Sequence, residues 1–448
     1  MTALKLLRSL GVAVVLVALA LAPAGASDQR PPQRTSGMTA APDFELPAVQ
    51  IRIAVDRALG EHAFLVIEAM RTSAEGEGAE FEAAAEALEE NTTAIADLIA
   101  GVTRPEEAGA FGEQWRNHIA YLVDYARAVS DEDADAQNLA EEQLHTYSGD
   151  FSALLVEAFP ALPADVVSDL VAEHVSQLEQ VTSLGEGDYE EAFPAIRGTY
   201  AHMFAIGDGL TTGILSRLGP GIEGRDTAFS PALDMRLGLD RLLGEHTYLA
   251  ATVMRANVEG GPHLDAAVEA INANSTELSD QIEAIYGGDA AAAFGDLWTQ
   301  HIADYVSYVE ATEAEDEDAQ QAALDALATY RSEFSAFLAG ANPYLDAGAL
   351  ESLLEVHTHH LIDQVSAYAG GDYAGAFTIL REGYTQTADL AGGLAGAIAD
   401  QFPQLFPDTA LPSHSSVPTS LVEWIALGVV LVACLFALRS RRRVMFGT

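Results

Sequence analysis

The sequence predicts an all-α protein made of two tandem up-and-down helical bundles of about six helices each, plus one C-terminal transmembrane helix. Apolar residues recur with a period near 3.6 among strong helix formers, with almost no alternating β-branched runs. The same motifs occur twice, at a separation of 183 or 184 residues, which is the mark of a duplicated module. A long apolar run near the C-terminus predicts the membrane helix.

The strongly acidic composition argues against nucleic acid as a partner. The chain has 448 residues, with 67 acidic side chains against 22 Lys and Arg, and a formal net charge of −45. A surface that binds nucleic acid needs clustered cations, so no nucleic-acid partner is expected. The length also favours two or more domains over a single core.

The N-terminus has the pattern of a secretory signal peptide over residues 1–26. Lys5 and Arg8 precede an apolar stretch, and a small-x-small cleavage pattern ends at Ala26. An uncleaved N-terminal anchor is the alternative. The segment 27–46, rich in Pro, Ser and Thr, is predicted to be a disordered lead-in.

The C-terminus predicts a single-pass membrane anchor. Residues 405–420 read as a spacer, and residues 421–438 are apolar and long enough to cross a bilayer. The arginines that follow place the tail, 439–448, in the cytoplasm by the positive-inside rule. The chain is therefore predicted to lie in the cell membrane with its bulk extracytoplasmic. Attachment to a cell wall is the alternative, although the Thr-Gly of a sorting signal is missing.

The internal repeat defines copy 1, residues 47–220, and copy 2, residues 228–404. The matched motifs are Gly60-Glu61-His62 with Gly244-Glu245-His246, Phe111-Gly112-x-x-Trp115-x-x-His118 with Phe294-Gly295-x-x-Trp298-x-x-His301, Asn91 with Asn274, His174 with His357, and Gly187-Asp188-Tyr189 with Gly371-Asp372-Tyr373. The nearly constant separation indicates that the loops kept their lengths.

Helix breakers divide each copy into six helices, since Gly, Pro and capping residues interrupt the apolar periodicity. In copy 1 the predicted helices lie near 48–73, 78–101, 105–129, 132–158, 163–184 and 189–216. Thr103 and Glu106 predict a capping box before the third helix, which has Pro105 in its first turn. Pro163 opens the fifth helix, and Asp188 is suited to cap the sixth. Short connections favour antiparallel neighbours, hence an up-and-down bundle.

Histidines interrupt the apolar stripes of three helices in each copy. In copy 1 they are His62, His118 and His174, and Asn91 falls on the stripe of the second helix. In copy 2 the equivalent histidines are His246, His301 and His357. The pattern predicts three imidazoles that point inward from different helices of one bundle.

Inward histidines need partners, because a buried polar group without one costs about 1–3 kcal/mol. A histidine-rich site in a bundle core suits copper or another divalent transition metal, and we favour these over haem. His202 and Met203 on the sixth helix are candidate additional ligands in copy 1. Copy 2 has Gln386 and Thr387 there, which predicts a poorer site.

A structural role is the alternative, in which each histidine bonds a neighbouring Tyr, Asn or Glu, for which Tyr125, Asn91 and Glu61 are available in copy 1. The sequence contains no nucleophile elbow, phosphate loop or Cys-x-x-Cys, so an enzyme is the less favoured class. Two functions therefore stay open: a metal-binding protein acting in capture, buffering or sensing, and a structural spacer or adhesion module with no ligand.

One family resemblance bears on this reading. The motifs concerned are Gly60-Glu61-His62, Trp115-x-x-His118-Ile119, His174-x-x-x-Leu178, Gly187-Asp188-Tyr189 and Tyr200-x-His202-Met203. The sequence resembles a helical module of secreted bacterial proteins that are often labelled copper amine oxidase, a label that stems from an attached accessory domain. The chain lacks that domain and the Asn-Tyr-Asp/Glu tripeptide of true copper amine oxidases. The resemblance therefore implies the module and its histidines, and not the oxidase activity.

Overall fold

The computed structural model describes residues 42–76, 78–182 and 187–407. These residues form twelve α-helices and one short 3-10 helix, without any strand, so the all-α prediction is confirmed. The helices of copy 1 are α1 (Pro47–Glu75), α2 (Gly78–Ala100), α3 (Pro105–Ser130), α4 (Ala134–Ala158), α5 (Ala164–Val181) and α6 (Tyr189–Leu218). Those of copy 2 are α7 (Pro231–Val258), α8 (Leu264–Tyr286), α9 (Gly288–Glu313), α10 (Glu317–Ala341), α11 (Ala347–Ala369) and α12 (Tyr373–Gln401).

The helix ends agree closely with the predicted breaks, with one correction. The carboxylate of Asp188 accepts a hydrogen bond from the Glu191 amide and caps α6 as predicted. The capping box of α3 forms one residue later than predicted, because the Arg104 amide donates to Glu107 at 2.8 Å. The Thr103 hydroxyl instead donates to the carbonyl of Ile99 at the end of α2, so it is not available to cap α3.

The first helix of each copy lies at the centre of the molecule. Successive helices of a copy pack against one another, and the sixth packs back onto the first. The two copies form one compact unit, since α12 also packs against α2 and α6 also packs against α8. Helices α1 and α7 therefore bury residues on nearly all sides, including the faces turned toward the other copy.

Two tyrosines separate these central helices where they approach each other. The hydroxyls of Tyr200 and Tyr384 lie 3.3 Å apart and are buried. Glycines in α1 and α7 make room for the rings, since a Cβ added at Gly60 would lie 2.6 Å from the Tyr384 hydroxyl. A Cβ added at Gly244 would lie 2.6 Å from the Tyr200 hydroxyl. The glycine of the repeated Gly-Glu-His motif thus has a packing role.

Gly244→Ala is therefore expected to lower the free energy of unfolding by about 1–3 kcal/mol, the usual cost of overpacking a core. Gly238→Ala is the matched control on the same helix, because a Cβ there meets nothing within 4 Å. The control should be neutral or slightly stabilising, since alanine is the better helix former. Urea denaturation of both variants measures the difference. Equal stability of the two variants would contradict tight packing of the tyrosine pair.

The chain packs onto the bundle just before the first helix. Phe44 is buried, and the guanidinium of Arg236 lies 5.3 Å from the centre of its ring. The Ala48 amide also donates to the carbonyl of Glu223 at 3.0 Å. The last residues of the predicted lead-in, 42–46, therefore belong to the structured part of the protein.

Several predicted segments lie outside the described residues. They are the signal peptide 1–26, most of the lead-in 27–46, most of the spacer 405–420, the membrane helix 421–438 and the tail 439–448. Within the described ranges, no helix has both the length and the apolar character needed to cross a membrane.

Candidate metal centre

Three histidines of copy 1 meet in the core of the bundle. His62 on α1, His118 on α3 and His174 on α5 are at most 5% exposed, and together we call them the first histidine set. The Nε2 atoms of His62 and His118 lie 3.3 Å apart. One ligand nitrogen from each of the three lies within 4.8 Å of the other two. The prediction that these side chains point inward to one place is confirmed.

Aromatic rings pack against the first histidine set. The Trp115 ring lies 4.7 Å from that of His62 and 4.9 Å from that of His118. Tyr147 stacks on His118 at 4.9 Å, and its hydroxyl-bearing ring is buried as well. The Trp-x-x-His motif places both residues on the same face of α3, so the tryptophan shields the imidazole that follows it.

Asn91 does not serve the histidines. Its amide nitrogen donates to the carbonyl of Ala58 at 2.9 Å and to the Glu61 carboxylate at 2.8 Å. Glu61 also accepts a hydrogen bond from Arg381 of copy 2 at 2.9 Å. The buried asparagine therefore joins α2 to α1, and the proposed Asn91–histidine and Glu61–histidine bonds are absent from the described hydrogen bonds.

The imidazole nitrogens have few partners. Across the described ranges, no hydrogen bond of normal geometry reaches Nδ1 of His62, His118 or His174, nor Nε2 of His174. The single contact between ring nitrogens recorded within the set joins His62 to His118. Buried nitrogens without partners are costly, so a polar network of neighbouring side chains does not account for the set.

The electrostatics keep these imidazoles neutral. Burial lowers the pKa of His62 and of His174 well below the usual value, and nearby histidines lower it further. Burial also lowers the pKa of His118 to about 3, although the carbonyls of Trp115 and Gln114 partly oppose the shift. Neutral imidazole is the form that binds a metal, so the set needs no deprotonation at neutral pH.

The two additional ligands predicted on α6 are placed differently. His202 is half-buried, and its Nε2 lies 2.9 Å from the carbonyl of Leu170, to which it donates. That nitrogen is therefore engaged by the backbone. Met203 is fully buried in the core of copy 1. His202 does not belong to the group of converging ligand atoms, and the role of His202 and Met203 in metal binding stays a prediction.

Copy 2 repeats the arrangement, with similar distances from its first histidine ring to the other two. His246, His301 and His357 form the second histidine set, and the Nε2 atoms of His246 and His301 are again 3.3 Å apart. Burial lowers the pKa of His301 to about 3 and that of His357 to about 4. Within the described residues, however, convergence of three ligand atoms within 4.8 Å is found in copy 1 and not in copy 2. A cavity of about 80 Å³ adjoins the second set.

No protein-family model matches the chain, and no curated protein or solved structure matches it significantly. The resemblance to the secreted helical module therefore stays a prediction.

Proposed function

We propose that this is a membrane-anchored extracytoplasmic protein that binds a transition-metal ion, with copper favoured, for capture, buffering or sensing. The observation that supports the proposal is the first histidine set: three buried imidazoles from three helices, with one ligand nitrogen of each within 4.8 Å of the other two. A bound cation takes one nitrogen from each ring, so a single ion can engage all three side chains.

The spacing of the nitrogens suits such an ion. Ligand nitrogens about 2.0–2.1 Å from a metal at tetrahedral angles lie about 3.3 Å apart. The Nε2 atoms of His62 and His118 are separated by 3.3 Å. The third nitrogen, on His174, lies within 4.8 Å of the other two, so its separation from them has to shorten by at most about 1.5 Å to complete a three-nitrogen site of that geometry. Three imidazoles without carboxylate ligands favour Cu or Zn over Mg or Ca.

Metal retention tests the proposal. The chain without its predicted signal and anchor segments is incubated with Cu or Zn, desalted and analysed for metal. We expect about one ion for each histidine set that is filled, because a buried site with neutral ligands releases its ion slowly. Retention below about 0.2 ion per chain, against roughly one for a filled structural site, would contradict the proposal.

Matched variants assign the retained ion. His118→Ala should remove the share of copy 1, and His301→Ala should remove any share of copy 2. His145→Ala is the control, since His145 is an exposed histidine on α4 of copy 1. Loss of metal from the control and the site variants alike would indicate binding to surface histidines instead.

A structural spacer or adhesion module is the second candidate. The observation that favours it is the close stacking of His118 on Tyr147, with ring planes 16° apart, which fills the core without an ion. If the histidines are purely structural, replacing any one of them by alanine lowers the melting temperature equally with and without a chelator. The three variants are His62→Ala, His118→Ala and His174→Ala. On the metal-binding reading, the chelator lowers the melting temperature of the wild type more than that of the variants.

A further inference from the structure

The cavity in copy 2 reaches the second histidine set. It has a volume of about 80 Å³, and all three histidines of the set contribute to its lining. Most of the remaining lining is apolar or aromatic and includes Leu243, Leu278, Phe294, Trp298, Phe334 and Ile398. Besides two tyrosines, Tyr286 and Tyr330, two further polar side chains line it, Asn342 and Thr387.

The polar atoms of those two residues are already paired within the protein. The Asn342 amide nitrogen donates to the Tyr286 hydroxyl at 3.2 Å, and its carbonyl oxygen accepts from the Tyr344 amide at 2.9 Å. The Thr387 hydroxyl pairs with the Thr247 hydroxyl at 3.1 Å and with backbone carbonyls of its own helix. Almost all of the surface that the lining side chains turn toward the cavity is apolar, including the parts contributed by the histidines, so an apolar occupant is favoured.

Copy 1 has larger apolar side chains at the equivalent positions. Phe159 corresponds to Asn342 at a separation of 183, and Met203 corresponds to Thr387 at a separation of 184. Phe159 is 1% exposed and Met203 is fully buried. The alignment of Phe159 with Asn342 is supported by the proline that follows each of them.

A third position changes together with these two. A Cβ added at Gly213 would lie 2.9 Å from the Cβ of Phe159, so the phenylalanine requires a glycine there. Copy 2 has Ala397 in place of Gly213, which goes with the smaller Asn342. Three linked differences thus leave space beside the histidines of copy 2 where copy 1 places bulky side chains.

We propose that copy 2 binds a small apolar molecule in this cavity, against the edges of His246, His301 and His357. A dry apolar cavity of 150 Å³ accepts benzene or xenon, so a cavity of about 80 Å³ has room for roughly three non-hydrogen atoms or one xenon atom. Diatomic gases and short hydrocarbons fall within this class. Copy 1 is closed to the same ligands, so the duplicated modules have diverged into a filled bundle and a ligand-accepting one.

Xenon is the probe, and the protein is the chain without its predicted signal and anchor segments, with both copies present. The buffer contains a chelator, so that metal binding does not contribute. The xenon-129 chemical shift should change saturably with protein concentration. A triple variant gives copy 2 the residues that copy 1 has at the three equivalent positions: Asn342→Phe, Thr387→Met and Ala397→Gly. This variant should abolish the saturable change in the chemical shift. The single variant Thr387→Met should weaken it at least several-fold and guards against misfolding of the triple variant. Thr385→Met, an exposed change on the same helix, should leave it unaltered.

Two outcomes would overturn the proposal: no saturable xenon shift in the wild type, or an unchanged shift in a folded triple variant. Both readouts are independent of metal. A chain that retains no copper or zinc can still bind xenon, so the two proposals fail separately.

Discussion

Glu68→Ala is expected to lower the free energy of unfolding by about 3–5 kcal/mol, the cost of breaking a buried ion pair by removing one partner. Glu68 lies on α1 and is 1% exposed. Its carboxylate accepts hydrogen bonds from Tyr248 at 2.6 Å, Arg255 at 2.7 Å and Arg71 at 3.0 Å. Burial alone opposes its ionisation, but Arg255 and Arg71 lower its pKa to about 2. The substitution would leave two buried guanidinium groups without this anion.

Chemical denaturation at neutral pH measures the effect, and an exposed ion pair supplies the control. Glu89 pairs with Arg116 at 2.6 Å, but both side chains are about half exposed to solvent. Glu89→Ala should therefore cost less than about 1 kcal/mol. A Glu68→Ala variant no less stable than Glu89→Ala would show that the buried arginines find other partners.

The Glu68 cluster joins the two copies, and the repeat itself did not reveal it. Tyr248 and Arg255 belong to α7, whereas Glu68 and Arg71 belong to α1. The residue of copy 2 equivalent to Glu68 is Thr252, so the carboxylate at the centre of the cluster has no equivalent in copy 2. Alignment of the two copies reveals only the residues that they share. It cannot reveal a contact that depends on a residue present in one copy and not in the other.

A second pair of contacts between copies does follow the repeat. Arg197 of copy 1 binds Glu245 of copy 2 at 3.0 Å, and the equivalent Arg381 binds Glu61 at 2.9 Å. The glutamate of the Gly-Glu-His motif thus anchors the neighbouring copy while the histidine enters the core. Sequence reasoning identified the motif but placed the glutamate beside the histidines, because nothing in one copy indicates which residues face the other.

The local structure was more predictable than the packing between copies. Helix ends follow from capping and periodicity, which act over a few residues, as with Asp188 at the start of α6. The convergence of His62, His118 and His174 follows from the stripes of three helices in one bundle. The cavity of copy 2 was not predicted, although the sequence contains an indication of it, because copy 2 has Asn342 where copy 1 has the larger Phe159. Its volume depends on how Ala397 and Thr387 pack against that position.

The contacts between copies also affect how the histidine sets are studied. Because α1 and α7 are buried partly by the other copy, a single copy expressed alone would expose apolar surface that the whole chain covers. Comparison of the two sets therefore belongs in the intact chain, with one set removed at a time.

Acidification of the metal-free protein is expected to produce the other large effect, a steep loss of stability below about pH 6.5, the usual pKa of histidine. The six histidines of the two sets are neutral in the folded state, with the pKa of His118 and His301 lowered to about 3 and that of His357 to about 4. In the unfolded chain each binds a proton near pH 6.5, so below that pH the unfolded state holds more protons and is favoured. Each such histidine costs about 1.4 kcal/mol per pH unit, or about 2 kcal/mol at pH 5.

Two buried aspartates act in the opposite direction. Burial raises the pKa of Asp240 to about 6 and raises that of Asp56 well above its usual value. A carboxyl with a raised pKa takes up its proton in the folded state first, so it adds stability as the pH falls through that pKa. Burial likewise raises the pKa of four further carboxyls, Asp208, Asp304, Glu75 and Glu179. We expect these groups to offset only part of the effect of six histidines, so that the net slope remains destabilising.

Urea unfolding at pH 7.5, 6 and 5 in chelator measures that slope. His118→Gln removes one titrating group, so it should flatten the slope by up to about 1.4 kcal/mol per pH unit below pH 6.5. His145→Gln is the matched control, because His145 is an exposed histidine on α4 of the same copy. A pH slope that His118→Gln leaves unchanged would mean that His118 takes up its proton in the folded and unfolded chain alike, and protonation in the folded state would also remove the lone pair that a metal requires.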